Sequence, residues 1–325
     1  MKHNAKITII LIAMFIVTQV IGLFVVNAYL PKKALVFNET SQQFENVTIE
    51  QLPKGFQPPE LKTSYDFFSI FVNIVIAFIV AIALMFLLSK IKITLILRIW
   101  FFIVVIIAIG LAINTLLKQF PSFNSEIFLG LSYSFLLSLI IAIPLAIYKI
   151  FKRNLFVHNL TELVIYPGIA AVFVSILNIW TAIIFLVLIS AYDMWAVWKS
   201  KFMVKMAKFQ MNEMKIFAGF FVPYMTKKVR EQIAKLKKSK SKKKGKAIKI
   251  SLAILGGGDV VFPIITAGVF LKFAGIVPAL LVALGATLGL LFLFFISEKK
   301  KFYPAMPFIT AGIFLALLIW RIFLY

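Results

Sequence analysis

The sequence predicts an all-α polytopic membrane protein: nine transmembrane helices, with the N-terminus inside and the C-terminus outside. Three observations carry this. Of 325 residues, 62% are hydrophobic and mean hydropathy is +1.00, more apolar surface than a water-soluble chain of this length can hide. Runs of about 20 apolar residues, the length needed to cross hydrocarbon, recur nine times along the chain. Basic residues are unevenly divided between the connecting segments, which sets orientation.

The nine runs fall at about 7–30, 66–89, 93–117, 126–149, 162–177, 180–198, 250–272, 274–297 and 303–323. All nine are expected to be helices, because a spanning segment in lipid has to satisfy its own backbone hydrogen bonds. The first run, about 23 residues long, exceeds a signal-peptide core and has no small-residue cleavage site. The fifth is short, and its boundary with the sixth lies around Asn178; together they require a hairpin. The segment 31–64 is expected to be an irregular outside loop, because Pro53, Pro58 and Pro59 argue against a regular element there.

With the N-terminus inside, 28 of the 35 lysines and arginines lie inside and 7 outside. Setting aside the long loop 199–249, the division is still 11 to 7. That loop carries most of the net charge of +23, in a run KKVREQIAKLKKSKSKKKGK that suits solvent or anionic lipid headgroups better than nucleic acid. Within it, Ile216 to Met225 is apolar but too short to span, and reads as an interfacial or re-entrant segment. The chain thus divides into an N-terminal membrane part (1–198), a basic cytoplasmic loop (199–249) and a C-terminal membrane part (250–325).

There is no cysteine, and both histidines, His3 and His158, lie outside the apolar runs. That weighs against a histidine metal site and a Ser-His-Asp triad. Of the twelve acidic residues, ten sit in loops or at span ends, Glu162 opening the fifth span. The two inside apolar runs are Asp193 and Asp259. A charge at mid-bilayer costs at least about 2.5–3.5 kcal/mol on insertion scales, so such residues are kept for function. Neither has a basic residue within a helical turn. Asp193 is six residues from Lys199 and Asp259 ten from Lys249, and the two spans are antiparallel. Both carboxyls therefore lie in the cytoplasmic half and can face each other.

Two facing carboxyls in a dry site share one proton. One then serves as general base toward water and the other as acid toward a carbonyl oxygen or leaving nitrogen, with no metal or organic cofactor. The residues alone leave a proton-coupled transporter equally open, the pair acting as a proton relay, although no internal repeat accompanies it. A membrane chaperone that holds helices without cutting them is a third reading.

Tyr192-Asp193 on one span and Gly256-Gly257-Gly258-Asp259 on the next resemble the YD and GxGD motifs of the presenilin and signal peptide peptidase family of intramembrane aspartyl proteases. The family's Pro-Ala-Leu motif opens the last span, where this chain reads Pro304-Ala305-Met306. A literal Pro278-Ala279-Leu280 stands earlier, at the wrong place in the order. The compact chain with short loops is similar to archaeal members. The resemblance implies that Asp193 and Asp259 are catalytic, and that Tyr192, Gly256, Gly257, Gly258, Pro304, Ala305 and Met306 line the substrate site. It further implies single-span membrane proteins or remnant signal peptides as substrates, a multi-pass location in the cell membrane, and a loop 199–249 that gates or is cut by the enzyme itself. Tyr192 is expected to hydrogen-bond beside Asp193 or pack against the seventh span, and the glycines to let the sixth and seventh spans approach.

Overall fold

The computed structural model describes residues 5–38, 43–59, 63–91, 94–123, 125–128, 131–152, 154–199, 218–224, 251–298 and 303–323. Among them are nine helices long and apolar enough to cross a membrane. In chain order these are α1 (Ala5–Tyr29), α2 (Ser64–Ile91), α3 (Thr94–Leu117), α4 (Tyr133–Phe151), α5 (Leu155–Ile176), α6 (Ile179–Met194), α7 (Gly257–Ala274), α8 (Ile276–Ile296) and α9 (Met306–Phe323). The α6 helix runs on into a π-helical turn, Trp195–Lys199.

More than half of α5 and of α7 is buried inside the protein, against 6% of α2. The core therefore sits where α1, α5 and α7 meet, around Leu11, Phe15, Ala170, Val260 and Ile264, all fully buried. With lipid as solvent, apolar side chains gain little by leaving it, and close approach depends on small residues. Gly285 and Gly289 on α8 meet the backbone of α9 at Gly312 and Phe308, so any side chain there would drive the two helices apart.

Three elements depart from the sequence reading. The 31–64 segment is not irregular throughout: Lys32–Asn38 (β1) and Gln43–Ile49 (β2) form an antiparallel hairpin, and 50–59 has no regular element. Pro31 precedes the first strand and Pro53, Pro58 and Pro59 follow the second, so none interrupts the hairpin. The fifth span begins at Leu155 rather than 162 and has 22 residues. His158, Asn159, Thr161 and Glu162 depress its hydropathy, yet all pack against protein rather than lipid. Asn178 settles the boundary with α6: its side chain accepts from Thr181 N–H at 2.8 Å while Thr181 Oγ1 accepts from Asn178 N–H at 2.9 Å, a reciprocal cap.

The third departure concerns short strands at span ends. A short pair, Glu126–Phe128 (β3) and Leu131–Ser132 (β4), precedes α4. A further pair joins Gly219–Tyr224 (β5) to Ser251–Gly256 (β6), antiparallel, with Gly219 opposite Gly256 and Tyr224 opposite Ser251. The start of the seventh span is therefore a strand rather than helix, and the interfacial segment expected at 216–225 supplies its partner. Residues 216, 217 and 225 lie outside the described residues. Non-helical backbone within membrane depth is tolerated only where protein satisfies it or a cavity borders it.

Candidate active site

Asp193 lies one residue before the C-terminal end of α6 and is 6% exposed. Its Oδ2 accepts the Met306 N–H at 3.0 Å, with the Ala305 N–H beside it. Met306 opens α9, so Asp193 caps that helix, where unsatisfied N–H groups favour a carboxylate. Ser190, one turn earlier on α6, ties the same two helices through a 2.6 Å contact with Thr310 Oγ1. Ala305 and Met306 thus hold Asp193 through their backbone N–H groups. The literal Pro278-Ala279-Leu280 opens α8, beyond the far end of α7 and roughly 24 Å from Asp259 along the helix.

Asp259 sits in the first turn of α7. Gly256 caps that helix and its backbone bonds the Asp259 carboxyl, which lies close enough to Asp193 for the two charges to interact. Among the described residues neither aspartate is in an ion pair. The glycines have separate reasons. A Cβ on Gly256 would stand 3.0 Å from Asp259 Oδ2; one on Gly257 would stand 2.7 Å from Tyr166 Oη and about 3 Å from its ring. At Gly258 a Cβ would make ordinary contact, 3.4 Å from Phe262. Tyr166 is buried and cannot retreat. Gly257→Ala is therefore expected to lower kcat about 10²-fold by displacing the Asp259 turn, while Gly258→Ala stays within a few-fold of wild type. Steady-state cleavage assays on the two variants check the contrast.

The ladder between β5 and β6 can be read residue by residue. In an antiparallel pair, alternate residues direct both backbone groups at the partner or away from it. Gly257 N–H bonds Ala218 O at 3.2 Å, continuing the ladder past its printed end. Phe220, Val222 and Tyr224 then face Leu255, Ala253 and Ser251, and Gly219, Phe221 and Pro223 face outward. Pro223, which has no N–H, falls at an outward position and removes no ladder bond. On β6, Leu252, Ile254 and Gly256 face away from β5.

Sequence reasoning gave the α5 helix no part in the site. His158 Nε2 lies 2.8 Å from Gly219 O; a carbonyl only accepts, so Nε2 carries the proton. Asn159 meets Phe221 twice, its Oδ1 accepting the N–H at 3.0 Å and its Nδ2 donating to the carbonyl at 2.8 Å. Glu162, far from opening a span, is 1% exposed and bonds Lys149 of α4 at 2.5 Å, and Lys149 Nζ reaches His158 Nδ1 at 3.4 Å. Tyr166 Oη is buried beside Glu162 and the Asp259 turn without a hydrogen bond of ordinary geometry. The signal was available in the sequence: His158, Asn159, Glu162 and Tyr166 recur at helical spacing and share one face.

A cavity of about 100 Å³ lies between β6 and the residues before α9, lined by Ile254, Asp259, Ser297, Tyr303 and Ala305 among others. It has room for a few waters and none for a peptide. Tyr192 departs from both expectations: its ring packs on Phe78 of α2 at 5.8 Å, and on Trp195, bordering an apolar groove between α2 and α6.

Comparison with known proteins points the same way. Residues 52–324 match the family model described as signal-peptide peptidase, presenilin aspartyl protease. Two crystal structures of a presenilin family intramembrane aspartate protease, in space groups P2 and C222, share the fold. Their TM-scores are 0.54 and 0.52 at 16% identity, covering 95% of this chain and 95% and 94% of theirs. No curated protein matches the chain closely enough to count as a relative.

Proposed function

The chain belongs to the signal-peptide peptidase, presenilin aspartyl protease family and is a multi-pass intramembrane aspartyl protease, and from that premise we propose that Asp193 and Asp259 form the carboxyl pair that activates its hydrolytic water. The observation that supports the assignment is that Asp193, at the end of α6, and Asp259, in the first turn of α7, lie near enough for their charges to interact, with Asp193 held by the N-terminus of α9. The transporter alternative has no support.

In this reading one carboxylate takes a proton from water as its oxygen attacks the scissile carbonyl carbon. The protonated partner donates to the carbonyl oxygen. Collapse of the tetrahedral intermediate breaks the C–N bond, and a proton passes to the leaving nitrogen. A helical substrate shields its carbonyls with hydrogen bonds and has to unwind first. The outward edge of β6 receives the unwound segment as an added strand, Ile254 offering both N–H and C=O. Gly256 keeps its outward N–H for Asp259. The cavity holds the water, and substrate entry widens the gap between β6 and Tyr303–Ala305.

We infer the N-in orientation from the basic residues. It favours single-span proteins with their own N-terminus outside, and signal peptides, cleaved within the cell membrane. GxGD, as Gly256 to Asp259, is the matching motif. A peptide with a hydroxyl in place of the scissile carbonyl tests the class of chemistry. It is expected to bind at least about 10²-fold more tightly than the matching substrate, as transition-state analogues do. Binding no tighter than substrate would remove the aspartyl reading of the site.

A further inference from the structure

We propose that the face of α5 formed by His158, Asn159, Glu162 and Tyr166 is a clamp that holds the β5–β6 sheet at a fixed angle to the aspartate pair, with Asn159 and His158 as positioning residues for cleavage. The inference rests on the addition of substrate to β6 proposed above.

The sheet needs such a clamp because of how it is attached. At one end β6 joins α7 through Gly256, Gly257 and Gly258, a joint without side-chain bulk. The strands β5 and β6 are separated in sequence by 26 residues, 225–250, far more than a tight hairpin turn holds. Among the described residues the sheet is also gripped by polar groups of α5. There a side-chain amide mimics the peptide group of a third strand. Asn159 supplies one acceptor and one donor to Phe221, and His158 supplies a donor to Gly219, the neighbouring outward position. The third outward position, Pro223, has no N–H to satisfy. The rings add shape: His158 lies 4.9 Å from Phe221, and Tyr166 meets Phe220 edge-on at 5.7 Å.

Behind this face, Lys149 and Glu162 hold the imidazole. Lys149 donates to Glu162 and turns toward Nδ1 of His158, leaving Nε2–H aimed at Gly219 O. Tyr166 closes the device against Gly257, at the pivot itself. One face of one helix thus touches the sheet at two points along β5 and the joint at a third. Three such contacts stop β6 from swinging about its glycines. A bound peptide then presents a single carbonyl to the water.

The test uses full-length enzyme in lipid and a transmembrane-segment peptide. Active sites are titrated with the hydroxyl inhibitor and products are identified by mass. Asn159→Leu and His158→Leu, which keep bulk but lose the bonds, are expected to spread cleavage over neighbouring bonds. They should also lower kcat per titrated site about 10²-fold, the loss that about 1 Å of misplacement brings, with KM little changed. His158→Gln, which retains a donor toward Gly219 O, is expected to restore the single cut. Should Asn159→Leu fail to fold, the His158 pair decides alone. A single unshifted cleavage position with wild-type kcat per titrated site in the Leu variants would overturn the clamp while leaving the protease reading intact. A wild type that cuts nothing would overturn both.

Discussion

Asp193→Asn and Asp259→Asn are each expected to lower kcat about 10⁴-fold, and the double variant by scarcely more, because the two carboxyls act as one unit. Asparagine keeps the shape and an acceptor oxygen, so the Met306 N–H stays bonded at position 193 and the α6–α9 junction holds. What asparagine cannot do is give or take a proton near neutral pH. Gly256 likewise still finds an acceptor at position 259. The variants should therefore accumulate at wild-type levels and bind the hydroxyl inhibitor weakly, separating lost chemistry from lost structure. Initial rates on a fluorogenic transmembrane peptide measure this. An Asn variant retaining a tenth of wild-type activity would remove that aspartate from the reaction.

Ile254→Pro is expected to lower kcat/KM on the order of 10²-fold while changing thermal stability little. The size follows from losing one buried hydrogen bond and leaving its substrate partner unsatisfied, about 1–3 kcal/mol. The sign on stability is the discriminating part. Proline in a paired strand normally destroys a ladder bond. Here the Ile254 N–H faces away from β5, and Pro223 already occupies the outward position across from Leu252. The preceding residue is already extended, as proline prefers. Ala253→Pro, one residue away, removes an inward N–H and should destabilise the sheet itself. Comparing the two by kcat/KM and Tm tests whether β6's free edge carries substrate. Equal effects on both quantities in both variants would contradict it.

The helical spans were legible because burial in lipid and burial in protein look alike in composition. Nine long apolar runs became nine helices wherever the chain had only itself to satisfy its backbone. The aspartates were legible for the opposite reason: two acids inside apolar runs stand out against their surroundings. What escaped the sequence depended on partners far along the chain. Ser251–Gly256 reads as the start of a helix until Gly219–Tyr224 arrives to pair with it. His158 and Glu162 shortened the fifth span on paper because hydropathy counts them against lipid. In the fold Lys149, Gly219 and Phe221 satisfy that helix face. Lys149, counted among loop charges, is 5% exposed for the same reason. Met306 was expected to line the substrate site; the contact that the sequence could not show is its backbone N–H on Asp193.

The most direct measurement is the pH dependence of kcat for the wild-type enzyme in lipid on a transmembrane peptide. A pair sharing one proton needs one carboxyl ionised and the other protonated. Activity should then fall at low pH, where the base is lost, and at high pH, where the acid is lost, giving a bell whose two limbs belong to the pair. Both limbs should vanish with the activity in either Asn variant. A profile with a single limb, or a bell that survives in Asp193→Asn or Asp259→Asn, would contradict the claim that these two aspartates share the proton that drives hydrolysis.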